Sequence, residues 1–516
     1  MTYLLPTAHA ATVAGDGASQ SRLSGAQSAA YARELCSTTV ACRNLVIMAG
    51  GVLVTACAVH PAARPELYVP DAFEEHFTAS AAHWPAQAWY RDFGSDELDS
   101  LIDSAVQANS DLEAARARVA QADSRARQAG AAILPAVDAA GTANYLTGHS
   151  SQGGGHELDW SAMLSASYEV DFWGKNRAAA ESARLTATAS RAERDTVALT
   201  VLAGVADGYF QLIAVRERLG VAQSNRAVAK QLLDVVQARF DVSMSSPIDL
   251  ATQKAALDTA QLAISELQQA EFEARTALAV LLGRAPERFD VADRALDSLN
   301  EPVVAAGLPS ELLTRRPDVL LAESNLRAGH ADVAVARASM FPSLSLTASG
   351  GVQNPALPAV VLTIPGVGPS LSLGATLSQP IFDHGKLRAR RDEAQARDRE
   401  LLAAYRASIV AALSDVENAL AALQHLNQAR EFQTDNLAQS ERAFEGARLR
   451  YQAGSADFLT LLEAQRALYA ARDQLIQYKL ARLRALVGLC KALGGGWSQS
   501  QGPAIAMQTV TGNRGS

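Results

Sequence analysis

Apolar and polar residues alternate along this chain with two different periods, and the two kinds of stretch follow one another in an order that occurs twice. From Ser161 to Phe172 the even positions Ala162, Leu164, Ala166, Tyr168, Val170 and Phe172 are apolar. Ser161, Ser165, Ser167, Glu169 and Asp171 between them are polar, with Met163 the exception. Leu344, Leu346 and Ala348 alternate in the same way with Ser343, Ser345, Thr347 and Ser349. So do Leu371, Leu373, Ala375 and Leu377 with Ser370, Ser372, Thr376 and Ser378. A period of two is the mark of a strand with two unlike faces. A weaker run, Ala136 to Tyr145, completes a set of four. Each is about ten residues, the length of a tilted membrane-crossing strand with one lipid face and one lumen face. A soluble sheet with one face on a core predicts the same alternation. If the strands are membranous, four are too few to close a barrel, and open edges are not tolerated in lipid. Several chains would then have to pool their strands.

Elsewhere the period is helical. Leu98, Leu101, Ile102, Ala105 and Val106 form a stripe in a helix expected to start at Asp96 as N-cap and to run to near Pro135. Lys175 to about Phe240, and Lys386 to about Tyr451, are free of Pro and rich in helix formers. Each predicts a single helix of roughly 100 Å at 1.5 Å per residue. A turn follows each, Asp241 to Pro247 and Gln452 to Ala456, and then a return helix to about Gly283 or Gly488. Hairpins this long pack as coiled coils into a cylinder. Residues such as Ala411, Ala412, Leu413, Val416 and Leu420 are the seam of that packing.

The order is an internal duplication. Gly174-Lys175 returns as Gly385-Lys386, an offset of 211 (386 minus 175), and Arg239-Phe240 returns as Arg450-Tyr451 at the same offset. Leu134-Pro135 answers Phe341-Pro342 at a slightly shorter offset, so the intervening loops differ in length. The expected organisation is an N-terminal extension with signal segment (1–56), an extended segment that wraps the body (57–95), a first repeat (96–283), a linker (284–314), a second repeat (315–490) and a tail (491–516).

Composition agrees with long packed helices: 48% of residues are hydrophobic yet only 6% aromatic. The net charge of −8, and the lack of a basic cluster interleaved with aromatics, argue against nucleic acid as a partner. Cysteines are few: Cys36, Cys42, Cys57 and Cys490. Arg43, an apolar run from Leu45 to Val54 and then Val54-Thr55-Ala56-Cys57 have the layout of a signal peptide. The last four resemble a bacterial lipobox, which would make Cys57 the lipidated mature N-terminus and leave Cys490 as the one free thiol. A conventional signal peptide is the alternative. The residues before about Val40 are unlike a signal sequence. His149 and His156 fall in a Gly/Ser-rich stretch read as an external loop, and His384 in a strand-to-helix junction. No metal site, phosphate-binding Gly loop or nucleophile elbow is recognisable, so neither catalysis nor a cofactor is expected.

Arg315 to Gly351, RRPDVLLAESNLRAGHADVAVARASMFPSLSLTASGG, strongly resembles the signature of the outer membrane factor family, the TolC/OprM-like channels, in its NodT-type lipoprotein branch. The junctions FWGK and IFDHGK and the turn RYQAGSADFLTLLEAQRAL at Arg450 to Leu468 support it, and the resemblance runs from about Asp96 to Leu493. It implies a mixed α/β membrane protein. Three chains, four strands each, would share one transmembrane β-barrel above a coiled-coil helical barrel in the periplasm. The homotrimer would conduct passively and open at its periplasmic tip when a membrane-fusion adaptor and an inner-membrane transporter, of RND type, dock there. The implied cargo is small molecules, drugs or other toxic compounds. A type I protein secretion duct uses the same architecture, and a non-conducting coiled-coil spacer lipoprotein is a rival of another class.

The resemblance also assigns a tip. Gly454 and Ser455 match the turn that meets the adaptor; Ser243 and Met244 occupy the first-copy turn, which lacks the Gly. Tyr451 and Asp249 match a latch between a long helix and a neighbouring return helix. An Arg that strengthens the latch in some members is Ala456 here, which implies a lighter latch. Two acidic positions of the constriction correspond to Thr460 and Glu463, so Glu463 alone would form a charged ring, with Asp457 a competitor. Three such carboxylates would favour cations and raise one another's pKa.

Overall fold

The computed structural model describes residues 70 and 73 and residues 84–150, 153–304, 307–354 and 368–495. These lie in one compact unit, Leu67–Ser516. Cys57 and most of the 57–95 segment lie outside the described residues. The described end of that segment is not extended: Trp89–Phe93 forms a 3-10 turn whose Trp89 and Phe93 are buried, Phe93 against Phe210 at 5.1 Å between ring centroids.

The helix expected to run from Asp96 to near Pro135 is two helices, α1 (Asp96–Ala108) and α2 (Ser110–Ala131). Asn109 separates them by taking an extended backbone (ψ 124°). Its side-chain oxygen accepts from the Leu112 amide at 3.0 Å, while its amide nitrogen donates to the Leu281 carbonyl at 2.9 Å. A short polar side chain that competes with the helix for local partners ends one helix and caps the next. The N-cap of α1 is Ser95, not Asp96: its hydroxyl accepts from the Leu98 amide at 3.2 Å. The predicted stripe is otherwise seen, with Leu98, Leu101, Ile102 and Ala105 buried.

Four antiparallel strands follow in two pairs, β1 (Ala136–Ser150) with β2 (Gly153–Val170) and β3 (Ser343–Asn354) with β4 (Gly368–Ser378). They form one sheet in the order β1-β2-β3-β4. The register keeps like with like across the sheet: Leu346 stands opposite Tyr168 and Ala375, and Ser349 opposite Ser165 and Ser372. On the polar face the hydroxyls pair across strands, Thr142 with Ser161 at 2.8 Å and Ser349 with Ser372 at 2.7 Å. The apolar face is uncovered, with Leu371, Leu373 and Leu377 about three-quarters exposed (79%, 78% and 70%). Met163, the residue out of step, lies on the polar face between Ala140 and Gly351. A Cβ on Gly351 would come within 2.9 Å of its Cγ, so the glycine makes room for it.

β1 and β2 are longer than the alternation predicted, and His149 and His156 correct the loop reading. His149 is paired opposite Gly154 and His156 opposite Thr147, both within strands. The backbone ladder continues through Gly-rich residues that carry no apolar signal.

Each strand pair leads into a long helix, α3 (Lys175–Asp241) and later α7 (Lys386–Gln452), both of 67 residues. Gly174 (φ 77°) and Gly385 (φ 83°) supply the left-handed turn before each, which explains why that dipeptide recurs. An aspartate then caps the helix. Asp171 accepts from the Asn176 and Arg177 amides at 3.1 and 2.9 Å, and Asp383 from the Gly385 and Leu387 amides at 3.0 and 2.9 Å.

The return helices α4 (Pro247–Leu281) and α8 (Phe458–Ala492) have 35 residues each. α8 runs past Gly488 because one interior glycine costs only about 1 kcal/mol, and it stops where Gly494 takes φ 86°. Between the repeats lie 3-10 turns at Pro286–Arg288 and Leu296–Ser298, then α5 (Pro309–Arg315) and α6 (Pro317–Ala338). α6 and α2 both have 22 residues, so the duplication holds element by element.

α3 is the central helix, in contact with α1, α2, α4, α6 and α8. Its most apolar part, including Val205, Tyr209, Phe210, Leu212 and Ile213, is the main core rather than a membrane crossing, since all five are fully buried. Cys490 belongs to that core, and burial pushes its thiol up to about 12, so it is an inert apolar side chain there.

Candidate functional site at the helix-hairpin tips

The two turns that join long helix to return helix form the candidate site. In the second copy the Gly454 amide donates to the Tyr451 carbonyl at 3.0 Å and the Ser455 amide to the Arg450 carbonyl at 2.8 Å. Gly454 itself is left-handed (φ 74°), the usual ending of a helix at a glycine. Its counterpart 211 positions earlier, 454 minus 243, is Ser243, which takes the same conformation (φ 60°) without being glycine. The Met244 amide repeats the closing bond, to the Arg239 carbonyl at 2.8 Å. The fold therefore imposes one turn on two sequences, and the first pays a conformational cost of about 1 kcal/mol or more. Ser243→Gly is expected to stabilise the protein by up to about 1 kcal/mol, read as a raised thermal midpoint of the purified protein.

The return helices are capped differently. Ser246 and Asp249 make a capping box: the Ser246 hydroxyl accepts from the Asp249 amide at 3.0 Å, and the Asp249 carboxylate accepts from the Ser246 amide at 3.0 Å. The Ser245 hydroxyl adds a third bond to that carboxylate at 3.1 Å. The Ser246 amide, then the two serine hydroxyls, outweigh burial and hold the Asp249 carboxyl below the usual carboxylate range. In the second copy Asp457 is the N-cap, accepting from the Thr460 amide at 2.9 Å. The Thr460 hydroxyl, and after it that amide, keep the Asp457 carboxyl low as well. Asp457 is thus engaged in its own helix.

Tyr451 is buried in a tip core with Leu232, Val236, Phe444, Phe458, Leu461 and Leu462. The Arg239 guanidinium lies over its ring at 4.1 Å and donates to its carbonyl at 2.7 Å, binding the end of α3 to the end of α7. Arg239 entered the sequence reading only as a repeat marker. Its signal was there, an Arg-aromatic pair recurring at the common offset, but the partner lies across the two repeats.

Thr460 and Glu463 are exposed one turn apart on α8, while Leu461, Leu462 and Gln465 point into the packed side. They share a face that the protomer does not cover. Met244 at 75%, Ile248 at 75% and Val242 at 64% are exposed apolar groups at the first-copy turn. Among the described residues no three His, Cys, Asp or Glu side chains converge as a metal site requires.

A two-faced antiparallel sheet set on paired helical hairpins of equal length is the architecture of an outer membrane channel chain. The chain belongs to the outer membrane efflux protein family, whose model matches residues 101–284 and 308–495, one stretch in each repeat. The pyoverdine export outer membrane protein OpmQ of Pseudomonas aeruginosa is 41% identical over 474 residues, 90% of this chain and 99% of that protein. The toluene efflux pump outer membrane protein TtgC of Pseudomonas putida is 30% identical over 429 residues, 82% of this chain and 88% of that one. Among solved structures, the open state of the Neisseria gonorrhoeae MtrE outer membrane channel aligns with a TM-score of 0.76 at 29% identity. That alignment covers 85% of this chain and 98% of the other. The protein is therefore an outer membrane efflux channel of a Gram-negative cell.

Proposed function

We propose that three copies of the chain pool four strands each into one twelve-stranded barrel. Their helical hairpins then make a periplasmic tunnel through which small molecules leave passively. One observation carries this reading: a sheet whose apolar face is uncovered and whose outer strands β1 and β4 each have an unpaired edge among the described residues. Such a sheet is stable in lipid only when edges meet edges in a closed barrel. A spacer between membranes has no use for it. OpmQ is named for export of pyoverdine, which supports a small-molecule cargo here.

On this reading a lipidated Cys57 anchors the chain, and a periplasmic adaptor with an RND-type transporter opens the tip. Gly454, Ser455, Ser243 and Met244 meet the adaptor, and Met244 offers it an exposed apolar group. Tyr451 at the end of one long helix and Asp249 on a neighbouring return helix latch the closed tip, and Glu463, tripled by symmetry, lines it.

The test is single-channel conductance in planar bilayers, wild type beside Tyr451→Phe/Asp249→Ala. Small conductance that rises several-fold in the double variant is the expected result. Ser246→Ala, which weakens the same cap by about 1 kcal/mol but keeps the carboxylate, should leave conductance unchanged. If neither wild type nor double variant conducts, although both insert as stable trimers, the latch assignment is wrong.

A further inference from the structure

Most helices of this protein begin with acidic residues in their first turn, as the helix dipole favours: Asp96, Glu97 and Asp99 in α1, Asp111 and Glu113 in α2, Asp249 in α4, Glu311 in α5 and Asp318 in α6. α8 has no first-turn acid beyond its Asp457 cap, and the two long helices reverse the pattern. α3 opens with Lys175 and Arg177, and α7 with Lys386, Arg388, Arg390 and Arg391, with no acid in either first turn.

In the first repeat the cations are accounted for. Lys175 pairs with Glu169 at 2.5 Å and Arg177 with Asp171 at 3.1 Å, both acids supplied by the end of β2 or the residue after it. The second repeat lacks those acids: its junction reads Ser378-Gln379-Pro380-Ile381-Phe382-Asp383. Asp383, the one carboxylate there, is spent on the Gly385 and Leu387 amides, and Arg391 pairs with its neighbour Asp392. Lys386 and Arg390 are exposed and have no carboxylate partner among the described residues. They stand four apart, so they repel each other on one helix face, at the helix end that disfavours positive charge. Two penalties retained together indicate a compensating anion outside the protomer.

The surroundings say which anion. Directly before these cations come Ile381 and Phe382, exposed at 92% and 79%. Phe172 (71%) and Trp173 lie at the matching junction, where the Trp173 indole donates to the Pro342 carbonyl at 2.8 Å and its ring stacks on Phe341 at 4.7 Å. An exposed aromatic and apolar band with Lys and Arg just beyond it is the arrangement of a membrane–water boundary, where phosphate headgroups lie. We propose that Lys386 and Arg390, beneath Ile381 and Phe382, bind the phosphate of an anionic phospholipid in the periplasmic leaflet of the outer membrane. This rests on the reading that β1–β4 cross that membrane. Arg388, near Asp383, stands beside the site on another face of the same helix turn.

The test uses the purified full-length protein in detergent, with thermal unfolding of the oligomer read with no lipid, with phosphatidylglycerol, with phosphatidylcholine and with inorganic phosphate. Phosphatidylglycerol is expected to raise the midpoint by roughly 2–4 °C beyond phosphatidylcholine. Lys386→Gln/Arg390→Gln should abolish that difference while leaving the lipid-free midpoint unchanged or slightly higher, since a repulsion is relieved. Lys175→Gln should lower the midpoint equally in all conditions, because its partner is internal. A variant that keeps the phosphatidylglycerol effect overturns the proposal, as does a wild type for which inorganic phosphate serves as well. A double variant with a lowered lipid-free midpoint overturns it too, by pointing to a carboxylate of a neighbouring copy. Failure of the wild type to enter phospholipid vesicles would instead refute the membrane reading on which the site depends.

Discussion

Arg316→Ala is expected to destabilise the protein by about 3 kcal/mol, while Arg315→Ala, one residue away, costs under about 1 kcal/mol. Arg316 is 8% exposed and holds three elements together. It makes a fork with Asp318 (3.0 and 2.6 Å), reaches Asp415 on α7 at 2.9 Å, and donates to the Ala492 carbonyl at the end of α8 at 3.1 Å. Burial pulls its pKa down, and the two carboxylates more than restore it. Removing it strips a helix end of a donor and leaves two carboxylates without their cation. Because Asp318 and Asp415 keep some water (34% and 53% exposed), the cost falls at the lower end for a buried pair. Arg315 lies over the Trp84 ring at 4.4 Å and makes only a half-exposed, one-turn ion pair with Glu311 at 3.8 Å. Arg316→Lys should recover little, since a point charge cannot reproduce the fork. Urea unfolding of the four proteins in detergent decides it. Equal losses for the two arginines would show that the pair acts through charge alone.

The second large effect concerns the sheet. On the proposed shared barrel, Leu373→Arg, near the middle of β4 on the apolar face, is expected to cost about 2–4 kcal/mol per copy and to abolish oligomer assembly in the outer membrane. Ser372→Arg, one residue away on the face that carries the Ser349–Ser372 hydroxyl pair, should assemble normally, because on that reading this face fronts the lumen. Equal tolerance of both substitutions would mean that the sheet has no lipid face.

The repeat, the strands and the long helices were legible because each is a periodic signal over many residues. The break at Asn109 was not, since the apolar stripe continues across it and only the competing local hydrogen bonds of one side chain end the helix. The outer reaches of β1 and β2 escaped for the opposite reason: glycine-rich strand ends have backbone partners but no alternation to count. Arg316 was inside the recognised signature, yet its role depends on Asp415 and Ala492, which sequence order separates from it by about a hundred residues or more. At the tip, Gly454 announced its turn by residue type, whereas Ser243 is held in the same turn by its surroundings alone. The proposed latch and constriction residues Tyr451, Asp249, Thr460 and Glu463 were placed by resemblance, and the fold adds that Asp249 is half of a capping box.

The matched lengths of the repeats constrain how such a chain can vary. α3 and α7 end level with each other, and Arg239 bonds across that level to the Tyr451 carbonyl. One inserted residue in α3 would shift everything beyond it by about 1.5 Å and 100° of rotation, misaligning that bond and the seam against α8. A deletion would do the same in the other direction. The tolerable change in length is therefore a coordinated edit, whole turns added to both limbs of a hairpin and copied into the other repeat. Duplication has made the depth of the duct a single inherited quantity, recorded four times in one gene.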